Sequence, residues 1–410
     1  MSETSVKLIA ADSSYSRILG VDSSNRSITF RSLVEFFCPS LTDPQKSRVL
    51  PTPYLFSGMM QTVYSGLISG KRDQYTDIQY DRELRVMDDG GTVSLDWYPN
   101  RDSSNEPSDE PIAILMAGFC GSSEDYHVRY LAKALADSPL GYRVVVKNHR
   151  GCCRTPLTAP EIINIHSTCD FRAIVGYLGS CNPAAPLVAV GFSLGANVLT
   201  KYLGEEGEEC PLAAAVTICG PFDVLALGRS IDGEGLINRM VVQRDIVGKM
   251  QRYLKKHEEA FQSGHVQYDM DAIMKTTTMA QIGNLVPVKE LGFNDVWEYY
   301  AYASSSRYID NIAIPFLAIN SIDDPVTTVE GIPIRKFGKN PNIALALVKH
   351  GGHLGFFTGV RPRIWYTAPV MEFFAAMTMP GICRRPESSS NNDNNSRKTA
   401  SLSYPLQAKL

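Results

Sequence analysis

Gly191-Phe192-Ser193-Leu194-Gly195 fits the pattern G-x-S-x-G. An apolar run, Leu187-Val188-Ala189-Val190, leads straight into it, and a small-residue helical stretch from Ala196 leaves it. A strand, a sharp turn and a helix in that order lift a serine hydroxyl clear of a sheet edge, and the two glycines keep side chains out of a crowded turn. A serine hydroxyl is a weak nucleophile at neutral pH, so it needs a base and a carboxylate to orient the base. There are seven histidines. Only His350 and His353 follow the last strand-like run, in Lys349-His350-Gly351-Gly352-His353-Leu354-Gly355. The flanking glycines suit a loop that carries an imidazole over the serine, so His353 is the expected base and His350 a supporting residue. The expected acid lies after the preceding strand, in Asn320-Ser321-Ile322-Asp323-Asp324-Pro325. Asp324, before proline, is the expected orienting carboxylate; Asp323 either takes that role or bonds the loop backbone.

Acyl chemistry on a serine also needs donors for a developing oxyanion, each contributing about 3 kcal/mol. One is the backbone N–H of Leu194, just after the nucleophile. The other comes from Ala117-Gly118-Phe119-Cys120-Gly121, where the glycines let the chain turn its amides inward and the Phe119 N–H is the expected donor. Cys120, Cys152 and Cys153 sit on nearby loops with no matched base and read as structural. His166-Ser167-Thr168-Cys169-Asp170 has the spacing H-x-x-x-D, but its place at a helix start reads as a cap and surface loop. The nine cysteines are scattered without a C-x-x-C pair, which fits reduced thiols and argues against a zinc site. No metal or cofactor is expected.

The elements that must hold these residues follow from periodicity. Gln79–Val86 and Thr92–Tyr98 read as strands joined by Asp88-Asp89-Gly90-Gly91. Continuous apolar runs at 112–117, 142–146, 187–190, 213–218, 314–319 and 343–348 read as strands covered on both faces. Helical patterns stand between several of them and at 367–377, so the fold class is α/β with a mostly parallel, doubly wound sheet. Residues 1–75 read as an N-terminal arm and 76–382 as the main domain. The rhythm fails at about 221–310, which reads as a helical lid insertion. Its Met240, Met250, Met270, Trp297, Tyr299 and Tyr300 suit a flexible apolar acyl pocket. From Cys383 to Leu410 the chain is rich in Ser, Asn and charge and is expected to be disordered.

Of the 410 residues, 44% are hydrophobic and 20% charged, with a net charge of −3. That balance argues against a nucleic-acid partner, which calls for a concentrated basic surface. No apolar stretch approaches the length of a transmembrane segment, and the start Met1-Ser2-Glu3-Thr4 lacks the form of a secretion signal. The chain ends in Ala408-Lys409-Leu410, a close variant of the peroxisomal Ser-Lys-Leu address. The expected location is therefore the peroxisome, with the import receptor as a partner and the cytoplasm as the alternative.

The combined motifs resemble the fourth family of the AB hydrolase superfamily, which includes YheT-like hydrolases, plant embryogenesis-associated proteins and yeast medium-chain ethyl ester synthases. The residues that carry the resemblance are Pro53–Gly58 with Gln61-Thr62, Asp89-Gly90-Gly91, Leu95-Asp96-Trp97 and Asn148–Cys152. With them go the 191–195 turn, Ser321–Pro325 and Gly351–Phe356. The resemblance spans about residues 50–378 and implies an α/β-hydrolase fold with Ser193, Asp324 and His353 as the triad. Ala117-Gly118 departs from the family's usual His-Gly in the oxyanion loop. By resemblance the activity is a serine esterase or lipase acting on acyl esters or thioesters through an acyl-serine. The alternative is an acyltransferase moving an acyl group from acyl-CoA to an alcohol, as in a secondary-metabolite pathway.

Overall fold

Strands without a polar side form where apolar residues run on continuously, and these runs build the centre of the molecule. The structure, a computed structural model, describes residues 5–12, 18–21, 27–99, 109–233, 238–262, 264 and 267–379. The tail that begins at Cys383 and ends in Ala408-Lys409-Leu410 lies outside the described residues. The main sheet has nine strands. We number them β1 (Val6–Ala10), β2 (Asp81–Val86), β3 (Thr92–Tyr98), β4 (Ile112–Met116) and β5 (Arg143–Asn148). They continue with β6 (Leu187–Phe192), β7 (Ala214–Ile218), β8 (Phe316–Ser321) and β9 (Ile343–Val348). Their spatial order is β1-β9-β8-β7-β6-β4-β5-β3-β2. The run from β9 to β5 is parallel, and β1, β3 and β2 pair antiparallel at the two margins.

Alternation along each strand divides the core between two layers. In β4, Ala113 and Leu115 join one hydrophobic cluster while Ile112, Ile114 and Met116 join the other. Helices α2 (Tyr126–Ala136) and α8 (Thr367–Met377) cover the first face, and α3 (Cys169–Cys181) and α4 (Leu194–Glu206) the second. Between β7 and β8 the chain leaves the sheet for helices, among them α5 (Val224–Asp232), α6 (Arg244–Lys256) and α7 (Val296–Ala303). This insertion has apolar clusters of its own, one around Met250, Leu254 and Ile273 and another around Val296, Tyr299 and Tyr300.

The N-terminal arm is woven into the sheet. Val6–Ala10 pairs with Ala344–Val348 and extends the sheet by one strand, so the sheet draws on chain before residue 76. An isolated five-residue apolar segment carries too little periodicity to announce an edge strand. The arm also forms α1 (Gly58–Ile68), capped by the Ser57 side chain, which accepts from the Met60 N–H. Helix α1 lies against the carboxyl ends of the parallel strands, where ligands bind in sheets of this kind.

Candidate active site

Ser193 follows β6 with φ 50° and ψ −114°, outside the regions that non-glycine residues favour. Such a conformation costs on the order of 1–3 kcal/mol and persists only where the surroundings enforce it. Here they do. The Ser193 N–H bonds the Ile218 carbonyl at 3.0 Å. A Cβ on Gly191 would come within 2.5 Å of the Gly195 carbonyl, and one on Gly195 within 2.6 Å of the Met116 and Ala117 carbonyls. Both glycines are therefore dictated by the close approach of β6, α4 and β4.

The structure brings Ser193, His353 and Asp324 into one chain of hydrogen bonds. His353 Nε2 lies 2.9 Å from Ser193 Oγ, and its Nδ1 lies 2.9 Å from Asp324 Oδ2. A carboxylate facing Nδ1 holds the proton there, leaving Nε2 to accept from the serine hydroxyl. Asp324 is buried. Its Oδ1 accepts from the N–H groups of Val326 at 2.7 Å and Thr327 at 2.9 Å, and the Thr327 hydroxyl donates to Oδ2 at 2.5 Å. Burial pushes its pKa up, but the His353 ring and the Thr327 bonds outweigh burial and hold the carboxyl below its ordinary value of 3.8.

Asp323 faces the other way. Its Oδ1 accepts from the backbone N–H groups of Gly351 at 2.9 Å and Gly352 at 3.0 Å and from Ser321 Oγ at 2.6 Å. Its Oδ2 lies 3.2 Å from Nδ1 of the half-exposed His350. Asp323 thus holds the backbone of the loop that carries His353, and His350 does not reach Ser193.

The two residues expected to supply oxyanion donors stand on either side of Ser193. Leu194 is the first residue of α4, so its N–H has no acceptor within the helix. On the other side, the Gly121 N–H bonds the Gly118 carbonyl at 3.0 Å and closes a turn over Phe119 and Cys120, the latter at φ 51°. A Cβ on Gly118 would stand 3.2 Å from Ser193 Cβ, so glycine lets this turn lie directly against Ser193.

Ser193, His353, Phe119 and Leu194 share a cavity of about 590 Å³. Of the insertion residues singled out by type, Met250, Tyr299 and Tyr300 line it. Met270 packs inside the insertion's own cluster, Trp297 is not part of the wall, and the side chain of Met240 lies outside the described residues. The wall also includes Leu227, Ile231, Ile246 and Val326. Cys120 lines the cavity too, but burial pushes its thiol far above the ordinary range. Cys152 is raised to about 12, again by burial. His166 is buried against Tyr299, with Nδ1 3.4 Å from the tyrosine hydroxyl, so it is not on a surface loop as its sequence position suggests. Asp170 bonds Arg150 instead, through distances of 2.6 and 3.0 Å.

Three participants are not evident from residue type alone. Thr62 Oγ1, on α1, accepts from the His353 N–H at 2.8 Å, and Gln61 Oε1 accepts from the Phe357 N–H at 2.7 Å. Cys219, buried at the end of β7 with φ 53°, accepts from the Leu354 N–H at 3.3 Å, and its thiol faces the Gly352 carbonyl at 3.6 Å. The His353 loop is therefore held from one side by the arm and from the other by a thiol. The run through Gln61-Thr62 was the available signal for the arm; Cys219 had none.

A serine on a strained strand-to-helix turn, with a histidine and an aspartate supplied by later strands of a mostly parallel sheet, defines the serine-nucleophile class of α/β enzymes. The chain belongs to the alpha/beta hydrolase fold family, whose model matches residues 111–360. It is 32% identical to the mouse phospholipase ABHD3, over 82% of this chain and 78% of that protein. It is 30% identical to the embryogenesis-associated protein EMB8 of Picea glauca, over 79% and 71%. To the medium-chain fatty acid ethyl ester synthase/esterase 2 of Saccharomyces cerevisiae it is 27% identical, over 85% and 89%.

Proposed function

We propose that the protein cleaves carboxylic esters or thioesters of apolar acyl groups through an acyl-Ser193 intermediate. The observation that carries this reading is the Ser193–His353–Asp324 hydrogen-bonded chain opening into an apolar cavity. Ser193 Oγ attacks the acyl carbonyl as His353 Nε2 takes its proton, and Asp324 stabilises the imidazolium without being protonated itself. The N–H groups of Phe119 and Leu194 receive the oxyanion. His353 then returns the proton to the departing alcohol or thiol oxygen or sulfur, and water repeats the sequence to release the acid. Met250, Tyr299 and Tyr300 form part of the acyl wall. The cavity volume falls within the range of about 300–1,000 Å³ that encloses a small-molecule ligand.

Relatives whose names record phospholipase and fatty ester activities support a lipid-derived acyl group. The name of the yeast relative, both synthase and esterase, supports a second reading in which an alcohol rather than water attacks the acyl-serine and acyl-CoA is the donor. Both readings share the first half-reaction. The test is to supply p-nitrophenyl esters of graded chain length, and separately acyl-CoA with and without an alcohol, and to identify the products. Release of free acid supports hydrolysis, and a new ester formed only with alcohol supports transfer. No turnover of any donor by the folded protein would contradict both.

We also propose that Ala408-Lys409-Leu410 directs the protein to peroxisomes through the import receptor, a setting that suits an acyl-CoA or a polyketide-like acid as substrate. A fluorescent fusion with a free C-terminus should be punctate and become diffuse when the last three residues are deleted. A diffuse intact fusion in import-competent cells would sink the idea.

A further inference from the structure

Between Arg48 and Lys71 the sequence has no charged residue. This run enters α1, which lies at the surface although an uncharged helix ordinarily belongs in a core. One side of α1 is fixed inward through Gln61 and Ile68. Met60 and Leu67 follow seven residues apart on another side, with Leu67 68% and Met60 39% exposed. Just before the helix, Phe56 is 63% exposed. Exposed apolar residues are ordinary when scattered but not when gathered on one uncharged element.

The location of this face gives it a meaning. Leu67 and Val63 of α1 belong to the wall of the catalytic cavity, as do Val242, Ile246 and Lys249 of the insertion. Met59 and Ile246 both pack against the buried cluster of Ile231, Val242 and Val326, so α1 and the insertion meet beside the cavity. Helix α6 carries five basic residues and one acid. Asp245 pairs with Lys249 at 2.7 Å, and Glu258 beyond the helix pairs with Lys255 at 2.7 Å. Arg244, Arg252 and Lys256 are exposed and exceed the acids within the helix. The cavity wall thus draws on both an uncharged apolar helix and a basic one.

We propose that this face docks on an anionic lipid surface, with Phe56, Met60 and Leu67 entering the apolar–headgroup boundary and α6 lying over the negative headgroups. Apolar insertion beside a basic helix is the composition that interfacial elements use, and each basic residue near such a surface contributes about 1 kcal/mol. Among the described residues no helix is long and apolar enough to cross a membrane, and this mode of attachment needs none. The inference rests on the ester-hydrolase reading for what docking serves, since an acyl chain would pass from lipid to Ser193 without crossing water. Docking itself is measured separately from catalysis.

The experiment uses the full chain with vesicles of ether-linked phosphatidylcholine, which an esterase does not consume, with or without ether-linked phosphatidylglycerol. The protein should sediment with the anionic vesicles and more weakly with the neutral ones. Arg252→Glu should reduce the bound fraction about fivefold or more. The Phe56→Glu/Met60→Glu pair should reduce it at least as far, with turnover of a water-soluble butyrate ester unchanged in both variants. Wild-type protein that stays in the supernatant with both vesicle types overturns the proposal, as does equal binding by Arg252→Glu. Self-association that these substitutions abolish, with no vesicle binding, assigns the face to a second copy and also overturns it. Vesicle binding without turnover of any ester leaves docking standing and removes the hydrolase reading.

Discussion

Two aspartate–histidine pairs sit side by side at the carboxyl ends of β8 and β9. In one, Asp324 is buried, satisfied on both oxygens and joined to a histidine that reaches Ser193. In the other, Asp323 spends one oxygen on Ser321 and the Gly351 and Gly352 amides, and its histidine is 35% exposed and points to no nucleophile. The same two residue types, adjacent in sequence, therefore carry different duties. The turn after β8 explains it: the Val326 and Thr327 amides hold Asp324 toward His353, while the Gly351 and Gly352 amides hold Asp323 on the returning loop. The pair proposed for the chemistry is the one whose imidazole has both nitrogens committed.

Substitutions should separate the pairs by size of effect. Ser193→Ala and His353→Ala should each lower kcat by about 10⁴-fold or more, measured on a soluble ester with the fold checked by circular dichroism. Asp324→Asn should cost about 10⁴-fold in kcat by favouring the wrong tautomer of His353. Asp323→Asn should cost about 10²-fold, because it loosens the loop rather than removing a reacting group. If Asp323→Asn proved the more damaging of the two, the assignment of duties would be reversed. Cys219→Ala should act in the same way as Asp323→Asn but less severely, and Cys219→Ser, which keeps a donor and acceptor, should recover part of the loss. His350→Ala should be mildest, within about fivefold, as expected for a partly exposed pair.

Acidity offers a further comparison. Asp323, like Asp324, is held below 3.8: burial raises it, and bonds from Ser321, Gly352, Gly351 and His350 outweigh burial. Between the folded and unfolded pKa values the unfolded chain binds more protons. The stability from each carboxylate is therefore fully present above about pH 4. It is lost as pH falls through the folded value. Acid titration of thermal unfolding should show a shallower loss below pH 4 in Asp323→Asn than in wild type. An unchanged slope would mean that Asp323 is not held down in the folded state.

What the sequence disclosed follows the same division. Strands covered on both faces are written as unbroken apolar runs, so β4, β6, β7 and β9 are legible to within a residue or two. Ser193, Asp324 and His353 are legible because each stands at a fixed place relative to such a strand, beside glycines or a proline. The five-residue β1 is not, since its pattern is too short and its partner, β9, lies at the other end of the chain. The cavity wall is only half legible. Met250, Tyr299 and Tyr300 are apolar or aromatic like Met270 and Trp297, and only tertiary packing decides which of them turn inward. Cys219 escapes a sequence reading, and Thr62 is marked only by the resemblance, because both act through backbone groups of a loop some hundred residues or more away.

The central claim is that Ser193 takes the acyl group from the ester as it gives its proton to a base that only the buried pair supplies. The most direct measurement is reaction with a fluorophosphonate ester followed by intact-mass analysis and peptide mapping, run on wild type, Ser193→Ala, Asp324→Asn and Asp323→Asn. The expected result is a single adduct on Ser193, none in Ser193→Ala, severely slowed labelling in Asp324→Asn and moderately slowed labelling in Asp323→Asn. A folded wild-type protein that stays unlabelled, or carries its adduct on another residue, would contradict it.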